Sequence, residues 1–179
     1  MRIQTGQPAQ PFQVKDIFER AIRLEDYRGK KLMLSFYRYA SCPLCNVRVH
    51  ELIQRYPSYE KRGLSMLAVF QSPKESILQY VGRREAPFPI IANPQHDLYR
   101  AYRVESSWLG FVIGGLRLDA WVYAIRHHLL GFKPEGDMAL VPADFLIGPG
   151  QKVEKAFYGR DIGDHIPLVE VEAWLDGKT

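Results

Sequence analysis

Only two of the 179 residues are cysteine, Cys42 and Cys45. That is too few for the disulfide framework of a small secreted domain, and one pair is too few for a four-ligand zinc knuckle. Such sparing use fits a reducing compartment. The first eight residues, Met1 to Pro8, carry a single charge with no apolar stretch behind it, so neither a signal nor a transit peptide is expected and the expected location is cytoplasmic. Uninterrupted apolar runs are missing as well. The most apolar stretch, 108–125, is broken by Arg117 and Asp119 where a bilayer span would want about 20 apolar residues, so no membrane span is expected. Charge of one sign is not in excess, with 24 Lys and Arg against 20 Asp and Glu and a net +4. The basic residues scatter (Arg28, Lys30, Lys31; Arg83, Arg84; Arg100, Arg103) instead of forming a stripe with interleaved aromatics, which argues against a nucleic-acid partner. No internal repeat or low-complexity segment is visible.

What is present is a globular composition, 46% hydrophobic and 25% charged, expected to form one domain over 1–179. A chain of this length buries roughly 70% of its unfolded surface, so a core forms without disulfide or metal staples and the cysteines are free for chemistry. Apolar runs rich in β-branched and aromatic residues predict strands at 32–37, 64–70, 145–147 and 153–158. The last two form a hairpin about Gly148-Pro149-Gly150-Gln151, where proline pre-sets φ and the glycines permit a positive one. Helical patterns fall at 43–56, 73–81, 97–102 and 166–175. Residues 11–14 and 20–24 read as a short hairpin covering the sheet edge. The region 105–140, with glycines among Trp108, Phe111, Trp121 and Tyr123, reads as an insertion holding one helix at about 116–129. The order is that of an α/β fold with a central mixed sheet flanked by helices.

The motif that carries chemistry is Cys42-Pro43-Leu44-Cys45, at the join of strand 32–37 and the first helix. Pro43 suits the first helical position, where a missing N–H costs nothing. Leu44, Val47, Leu52 and Tyr56 supply an apolar face, and Arg48, Glu51 and Arg55 are expected to look outward. Cys42 therefore sits at a helix N-terminus, whose free N–H groups and partial positive charge favour a thiolate, the reactive form. Cys45, one turn deeper, is expected to be more buried and less ionised. Three-residue spacing places the two Cα atoms within the range of about 4.4–6.8 Å that a disulfide requires. The pattern assigns attack to Cys42 and resolution to Cys45. Inert thiols and half of a metal site are the alternatives; His50, His96 and His165 are isolated, and His127 and His128, adjacent on a helix, diverge, so no metal is expected.

Val141-Pro142 stands at the threshold of strand 145–147. It reads either as a strand-entry proline or, beside a CxxC, as a cis bond presenting backbone groups to the Cys42 sulfur. Arg38 is a candidate for raising the thiolate fraction, since a fixed cation lowers a thiol pKa; its alternative is a solvated loop charge. Tyr37, Tyr39, Phe88 and Trp108 are candidates for shaping a pocket above the sulfur, against the commoner role of core aromatics. Asp161, Asp164 and His165 read as a turn with a helix cap at Asp164.

Several segments in order resemble one family. Gly6-Gln7-Pro8-Ala9-Gln10-Pro11-Phe12 resembles its opening, and Leu24-Glu25-Asp26-Tyr27-Arg28-Gly29-Lys30 its lead-in. Phe36-Tyr37-Arg38-Tyr39-Ala40-Ser41-Cys42-Pro43-Leu44-Cys45 resembles its active-site loop. Pro142-Ala143-Asp144-Phe145-Leu146-Ile147-Gly148-Pro149-Gly150 and Tyr158-Gly159-Arg160-Asp161-Ile162-Gly163-Asp164-His165 resemble its closing strands. The family is that of thioredoxin-fold, peroxiredoxin-like proteins of the alkyl hydroperoxide reductase and thiol-specific antioxidant (AhpC/TSA) group, in the branch that bears a CxxC.

The resemblance implies a thioredoxin-like fold, no cofactor, a peroxide or disulfide substrate, and a thiol reductant of the thioredoxin or glutathione type. It also implies departures. The proline, the threonine or serine, and the arginine usual in peroxiredoxins are replaced here by Ser35, Tyr39 and Pro142. Cleaving a peroxide needs donors that hold the O–O bond and the departing oxygen, so Arg38, Ser41 or Arg160 would have to substitute. Three readings stand open: a peroxidase with Cys42 attacking and Cys45 resolving, a disulfide oxidoreductase of thioredoxin type, and a non-catalytic binding or assembly module in which the insertion forms an apolar surface or seals a homodimer.

Overall fold

Two apolar segments set the centre of the molecule. In the computed structural model, which describes residues 1–81, 86–116, 122, 125–126 and 133–178, β3 (Lys31–Phe36) and β4 (Leu64–Phe70) lie parallel and in register from Lys31 opposite Leu64 to Phe36 opposite Val69. Parallel strands need a crossover, and α1 (Pro43–Lys61) supplies it. Both strands are buried almost throughout, as strands covered on both faces must be. Short β5 (Ile90–Ala92) extends the sheet beside β4, while β6 (Ala143–Ile147) and β7 (Val153–Tyr158) extend it antiparallel on the other side, giving the order β5-β4-β3-β6-β7. This is the expected mixed sheet, with β5 added. Three residues between Pro89 and Pro94 are too short a run to declare a strand from periodicity.

Alternation along β3 assigns side chains to two cores. Met33 and Tyr37 point to the layer holding α1 and the C-terminal helix α5 (Leu168–Leu175), with Val49, Leu52 and Trp174. Leu32, Leu34 and Phe36 point to the opposite layer, with Phe145, Tyr99 and Tyr102. Tyr99 comes from α3 (Asp97–Ala101), and its hydroxyl donates to the carbonyls of Tyr37 at 2.7 Å and Val69 at 3.0 Å, fixing that helix to the ends of the two central strands. The remaining helices are α2 (Lys74–Tyr80) and α4 (Trp108–Gly115). The N-terminal hairpin, β1 (Gln13–Lys15) and β2 (Ala21–Arg23), meets the β5 edge through Ile17 N–H donating to the Ile90 carbonyl at 2.9 Å.

Several local expectations are corrected. α1 passes through Pro57 to Lys61, beyond the predicted end at Tyr56, because Tyr59 is buried and its hydroxyl donates to Glu172 of α5 at 3.1 Å. Arg48 does not look outward: it is buried, and its guanidinium donates to the Ile166 carbonyl at 2.6 Å. The residue with positive φ in the β6–β7 turn is Gln151, at 57°, and not a glycine; its side-chain amide donates to the Leu24 carbonyl at 2.7 Å, which holds it there. Asp164 caps no helix. It accepts from the Arg160 N–H at 2.9 Å, and α5 begins after Pro167 without a side-chain cap. The Val141–Pro142 bond is not cis. This segment is drawn into extended pairing, Val141 N–H to the Glu105 carbonyl at 3.0 Å and Gly159 N–H to the Pro142 carbonyl at 2.9 Å, as a strand-entry proline would be. In the insertion the described helix is α4, earlier than expected; the predicted helix at 116–129 lies largely outside the described residues.

The closing segments are braced by one buried carboxylate. Asp144, fully buried on β6, meets His165 Nδ1 at 3.0 Å and accepts from the Ile166 N–H at 2.8 Å. Burial pushes its pKa up, but His165 and then Arg48 outweigh that and hold it below the ordinary carboxylate value. A carboxyl whose folded pKa is depressed contributes stability that is complete above its unfolded value and is lost as pH falls through the folded one. Asp144→Ala should therefore cost about 3 kcal/mol in urea unfolding at pH 7, the range for breaking a buried, charge-assisted set of hydrogen bonds. The difference between variant and parent should shrink on acidification, and a constant difference down to acid unfolding would show that the carboxylate charge is not the source.

Candidate active site

The chain leaves β3 at Phe36, turns through 38–41 and enters α1 at Pro43. This turn is held at every residue. Ala40 N–H donates to Ser72 Oγ at 2.8 Å, and the Asn46 amide donates to the carbonyls of Ala40 at 2.8 Å and Cys42 at 3.0 Å. Ser41 Oγ donates to the Lys133 carbonyl at 2.7 Å and accepts from its N–H at 3.1 Å, tying the turn to the end of the insertion. Cys42 is the residue preceding the helix, with extended backbone (φ −65°, ψ 119°) and Pro43 at the first helical position. Its sulfur faces the unpaired N–H groups of the first turn.

Arg38 reaches the same sulfur. Its Nη1 donates to Cys42 Sγ at 3.3 Å and its Nη2 to the Met138 carbonyl, and the guanidinium lies 4.9 Å from the ring centre of Tyr39 and 5.7 Å from that of Phe111. It is only 2% exposed, and among the described residues no carboxylate pairs with it. A buried cation without an acidic partner stabilises an anion beside it.

The two thiols answer to this field in opposite ways. Burial is the largest influence on Cys42 and pushes its pKa up, yet the hydrogen bond from the Cys45 thiol, the Arg38 charge, and the N–H groups of Cys45 and Leu44 together bring it down to about 6. Cys45 is pushed well above the ordinary thiol value, first by burial and then by its hydrogen bond to Cys42 and the negative charge there. Expected asymmetry of ionisation is thus present, but its cause is not deeper burial, since both side chains are 1% exposed. The difference lies in which sulfur faces the helix end and the guanidinium.

A cavity of about 130 Å³ opens on Cys42. Arg38, Tyr39, Pro43 and Leu44 form one wall, and Phe111, Gly115, Met138 and Ile162 the other. A larger hollow of about 470 Å³, between Phe12, Arg23, Leu24 and Gln151, contains no cysteine, so the thiols and not volume mark the site.

Other candidate residues are distributed unevenly about this centre. Tyr39 lines the cavity, whereas Tyr37 is fully buried, stacked on Phe70 at 4.9 Å and beside His165 at 4.8 Å, and is core. Phe88 packs on Tyr56 in the same layer, and Trp108 is exposed. The Arg160 side chain is 93% exposed and lies 3.7 Å from Asp164, away from the sulfur. Val141 and Pro142 do not line the cavity, so of the three donors that would have to replace the usual ones only Arg38 touches Cys42. Sequence reasoning missed Met138 and Ile162. Neither belongs to a periodic element, and both reach the site only because residues 133–141 and 159–166 pass above the end of β3. No group of His, Cys, Asp or Glu among the described residues could hold a metal ion.

The thiol-disulfide oxidoreductase ResA of Geobacillus thermodenitrificans is 33% identical over 103 residues, 57% of this chain and 59% of ResA, so the match spans about three fifths of that relative. Peroxiredoxin Bcp of Bacillus subtilis is 24% identical over 104 residues, 58% of this chain and 66% of Bcp. Among solved structures, peroxidoxin BcpB from Mycobacterium tuberculosis superposes with a TM-score of 0.73 at 15% identity, covering 99% of both chains. A PrxQ mutant from Xylella fastidiosa gives 0.70 at 16% identity, covering 99% of this chain and 96% of the other. At such identities these structures establish the thioredoxin-like fold alone. A sequence model of the AhpC/TSA family matches residues 5–156, which takes in the CxxC turn and the sheet as far as the middle of β7, and the chain belongs to that family.

Proposed function

We propose that the protein is a thiol-dependent peroxidase in which Cys42 attacks and Cys45 resolves. The observation that carries this reading is the Cys42 sulfur at the α1 N-terminus, 3.3 Å from a buried guanidinium that no carboxylate among the described residues neutralises. With a pKa of about 6, Cys42 is about nine-tenths thiolate at pH 7. The thiolate attacks one oxygen of a hydroperoxide; the O–O bond breaks, the other oxygen takes a proton and leaves as an alcohol or water, and Cys42 becomes a sulfenic acid. The Cys45 thiol then gives up its proton, its sulfur bonds to that of Cys42, and water leaves. An external thiol reductant, one dithiol of the thioredoxin type or two thiols of the glutathione type, reduces the disulfide, is itself oxidised to a disulfide and restores both thiols.

Residue roles follow from position. Arg38 lowers the thiol pKa and, as a fixed donor at the sulfur, serves the departing oxygen in place of the threonine and arginine that Tyr39 and Pro142 replace. The high pKa of Cys45 keeps it from competing for the substrate and from losing its proton before the sulfenic acid has formed. Burial of both sulfurs beneath a cavity of about 130 Å³ favours a small hydroperoxide over a folded protein's disulfide. The similarity to ResA supports the second reading, thiol-disulfide exchange, which begins from the same thiolate. In a reducing cytoplasm either cycle would start from the dithiol.

Mixing the reduced protein with one equivalent of hydrogen peroxide or an organic hydroperoxide should produce a species two mass units lighter, at a rate at least about a hundredfold above that of a free thiol. Cys42→Ser should abolish that reaction, and Cys45→Ser should stop at a sulfenic acid that dimedone captures. Equal residual turnover in the two variants would overturn the assignment of roles, and rapid reaction with a mixed disulfide but not with peroxide would establish the second reading.

The pH dependence of Cys42 alkylation by iodoacetamide gives an independent check. Its rate should rise through an inflection near pH 6, because only the thiolate reacts and the folded environment favours it. In Arg38→Met the inflection should move upward by about 1–3 pH units, the usual effect of removing an opposite charge at this distance. An unmoved inflection would leave the helix N-terminus and Cys45 as the whole cause.

A further inference from the structure

α4 carries three glycines, and two of them are needed where the helix lies. A Cβ on Gly110 would stand 2.7 Å from the Arg160 carbonyl oxygen, and one on Gly114 would collide with Ile162, so the helix rests flat on the 160–162 turn. Ser107 holds its first turn: its Oγ accepts from the Gly110 N–H at 3.1 Å and its N–H donates to the Ala139 carbonyl at 2.8 Å. Trp108, Leu109, Val112, Ile113 and Leu116 are left facing outward. Phe111 and Gly115, one turn apart, border the Cys42 cavity. Gly115 is itself exposed and so stands at the mouth. It has no such reason to be glycine. Its φ is not positive, and a Cβ built on it meets no atom among the described residues within 4 Å, the helix's own backbone aside. Glycine in a helix is less stable than alanine, and here neither backbone conformation nor packing asks for it. What its missing side chain provides is open space at the cavity.

We infer that Gly115 sets the bulk of the substituent that can reach the Cys42 sulfur, which makes α4 the specificity element of the site; as a statement about substrate this rests on the peroxidase reading above. The attacked oxygen must touch a sulfur that is 1% exposed, so the rest of the molecule has to lie in the cavity and leave by its mouth. An apolar cavity of about 150 Å³ accepts benzene, and the cavity of about 130 Å³ here gives room of that order for a hydrocarbon group of a few carbons. Leu44, Met138 and Ile162 line it with apolar surface, against which such a group leaves water without losing a hydrogen bond. Because Gly110 and Gly114 seat α4 on the 160–162 turn, a side chain added at 115 takes its volume from the cavity and does not displace the helix. One methylene of misfit in an apolar pocket changes discrimination by about 10–200-fold, so a leucine at 115 is enough to separate a branched alkyl hydroperoxide from hydrogen peroxide.

The ratio of Cys42 oxidation rates with tert-butyl hydroperoxide and with hydrogen peroxide, followed by intact mass on the full chain, tests this. Gly115→Leu should lower the ratio at least about tenfold, Gly115→Ala should lower it less, and Phe111→Ala, which widens the same wall, should raise it. Val112→Leu, on the outward face, should leave the ratio at the wild-type value. An unmoved ratio in Gly115→Leu, or an equal fall in Val112→Leu, would overturn the inference. So would a wild type that reacts with hydrogen peroxide and not with tert-butyl hydroperoxide, since the space at 115 would then admit no substituent. Should Gly115→Leu fail to fold by circular dichroism, the opposite shifts of Gly115→Ala and Phe111→Ala decide, and shifts of one sign, or none, overturn it. Alkylation keeps this apart from the peroxidase reading. The Cys42 thiolate reacts with iodoacetamide and with the bulkier N-phenylmaleimide whatever its substrate, and the rate with the maleimide relative to iodoacetamide should fall at least about tenfold in Gly115→Leu. If neither peroxide oxidises the wild type faster than a free thiol, the peroxidase reading fails and the alkylation ratio decides alone: a fall upholds Gly115 as the size limit at Cys42, and an unchanged ratio overturns it.

Discussion

The guanidinium of Arg38 and the sulfur of Cys42 lie 3.3 Å apart, both almost without contact with water. Removing a cation from water is costly unless an anion accompanies it, and among the described residues no carboxylate does. The arrangement is therefore most stable when the sulfur itself carries the negative charge. Much of the surrounding structure serves this pair. Asn46 and Ser72 hold the turn between Arg38 and Cys42, the Met138 carbonyl accepts from the far side of the guanidinium, and the rings of Tyr39 and Phe111 cover it. Cys45 completes the field, because its thiol donates to the neighbouring sulfur and is thereby kept protonated.

The sheet sets where that pair can stand. Parallel β3 and β4 require a crossover helix, so β3 ends where α1 begins and the helix N-terminus is brought to the same end of the sheet as the turn that carries Arg38. β6 pairs antiparallel to β3 and so begins, at Ala143 opposite Phe36, at the same end of the sheet as that turn, and Asp144 on it anchors the returning segment through His165 and Ile166. Arg48, reaching from α1 to the Ile166 carbonyl, links the helix that begins after Cys42 to this anchor. Through this bracing Ile162 and α4 close over the sulfur, and the placement of α4 leaves a broad apolar stripe facing outward.

The fold and the position of the thiols were legible in the sequence for a local reason. Continuous apolar runs at β3 and β4, Pro43 just after Cys42, and the three-residue spacing of the cysteines each depend on backbone geometry within a few residues. What could not be read depends on contacts between distant segments. Arg48 looks like a surface residue from helical periodicity, yet Ile166, 118 positions away, draws it inward. Tyr37 is adjacent to Arg38 in sequence, but strand alternation sends it into the core against Phe70 and His165. Val141-Pro142 suggested backbone groups at the sulfur, and pairing with Glu105 and Gly159 instead carries that segment into the sheet without a cis bond.

By itself the sequence determined the strand–helix order, the CxxC at a helix N-terminus and the family likeness, because all of these are written in short-range periodicity and in motifs whose residues are neighbours. Only the tertiary structure decided that Arg38 is the cation at the sulfur while Arg160 and Ser41 are engaged elsewhere. It also decided that the two thiols are equally buried but oppositely shifted, and that the apolar side of α4 faces outward. Arg38 stands four positions from Cys42, but what buries and fixes the pair is distant: Met138 accepts from the guanidinium across 100 positions, and Ser72 and Lys133 hold the turn across 32 and 92, and no local pattern of residues encodes which distant group will be there.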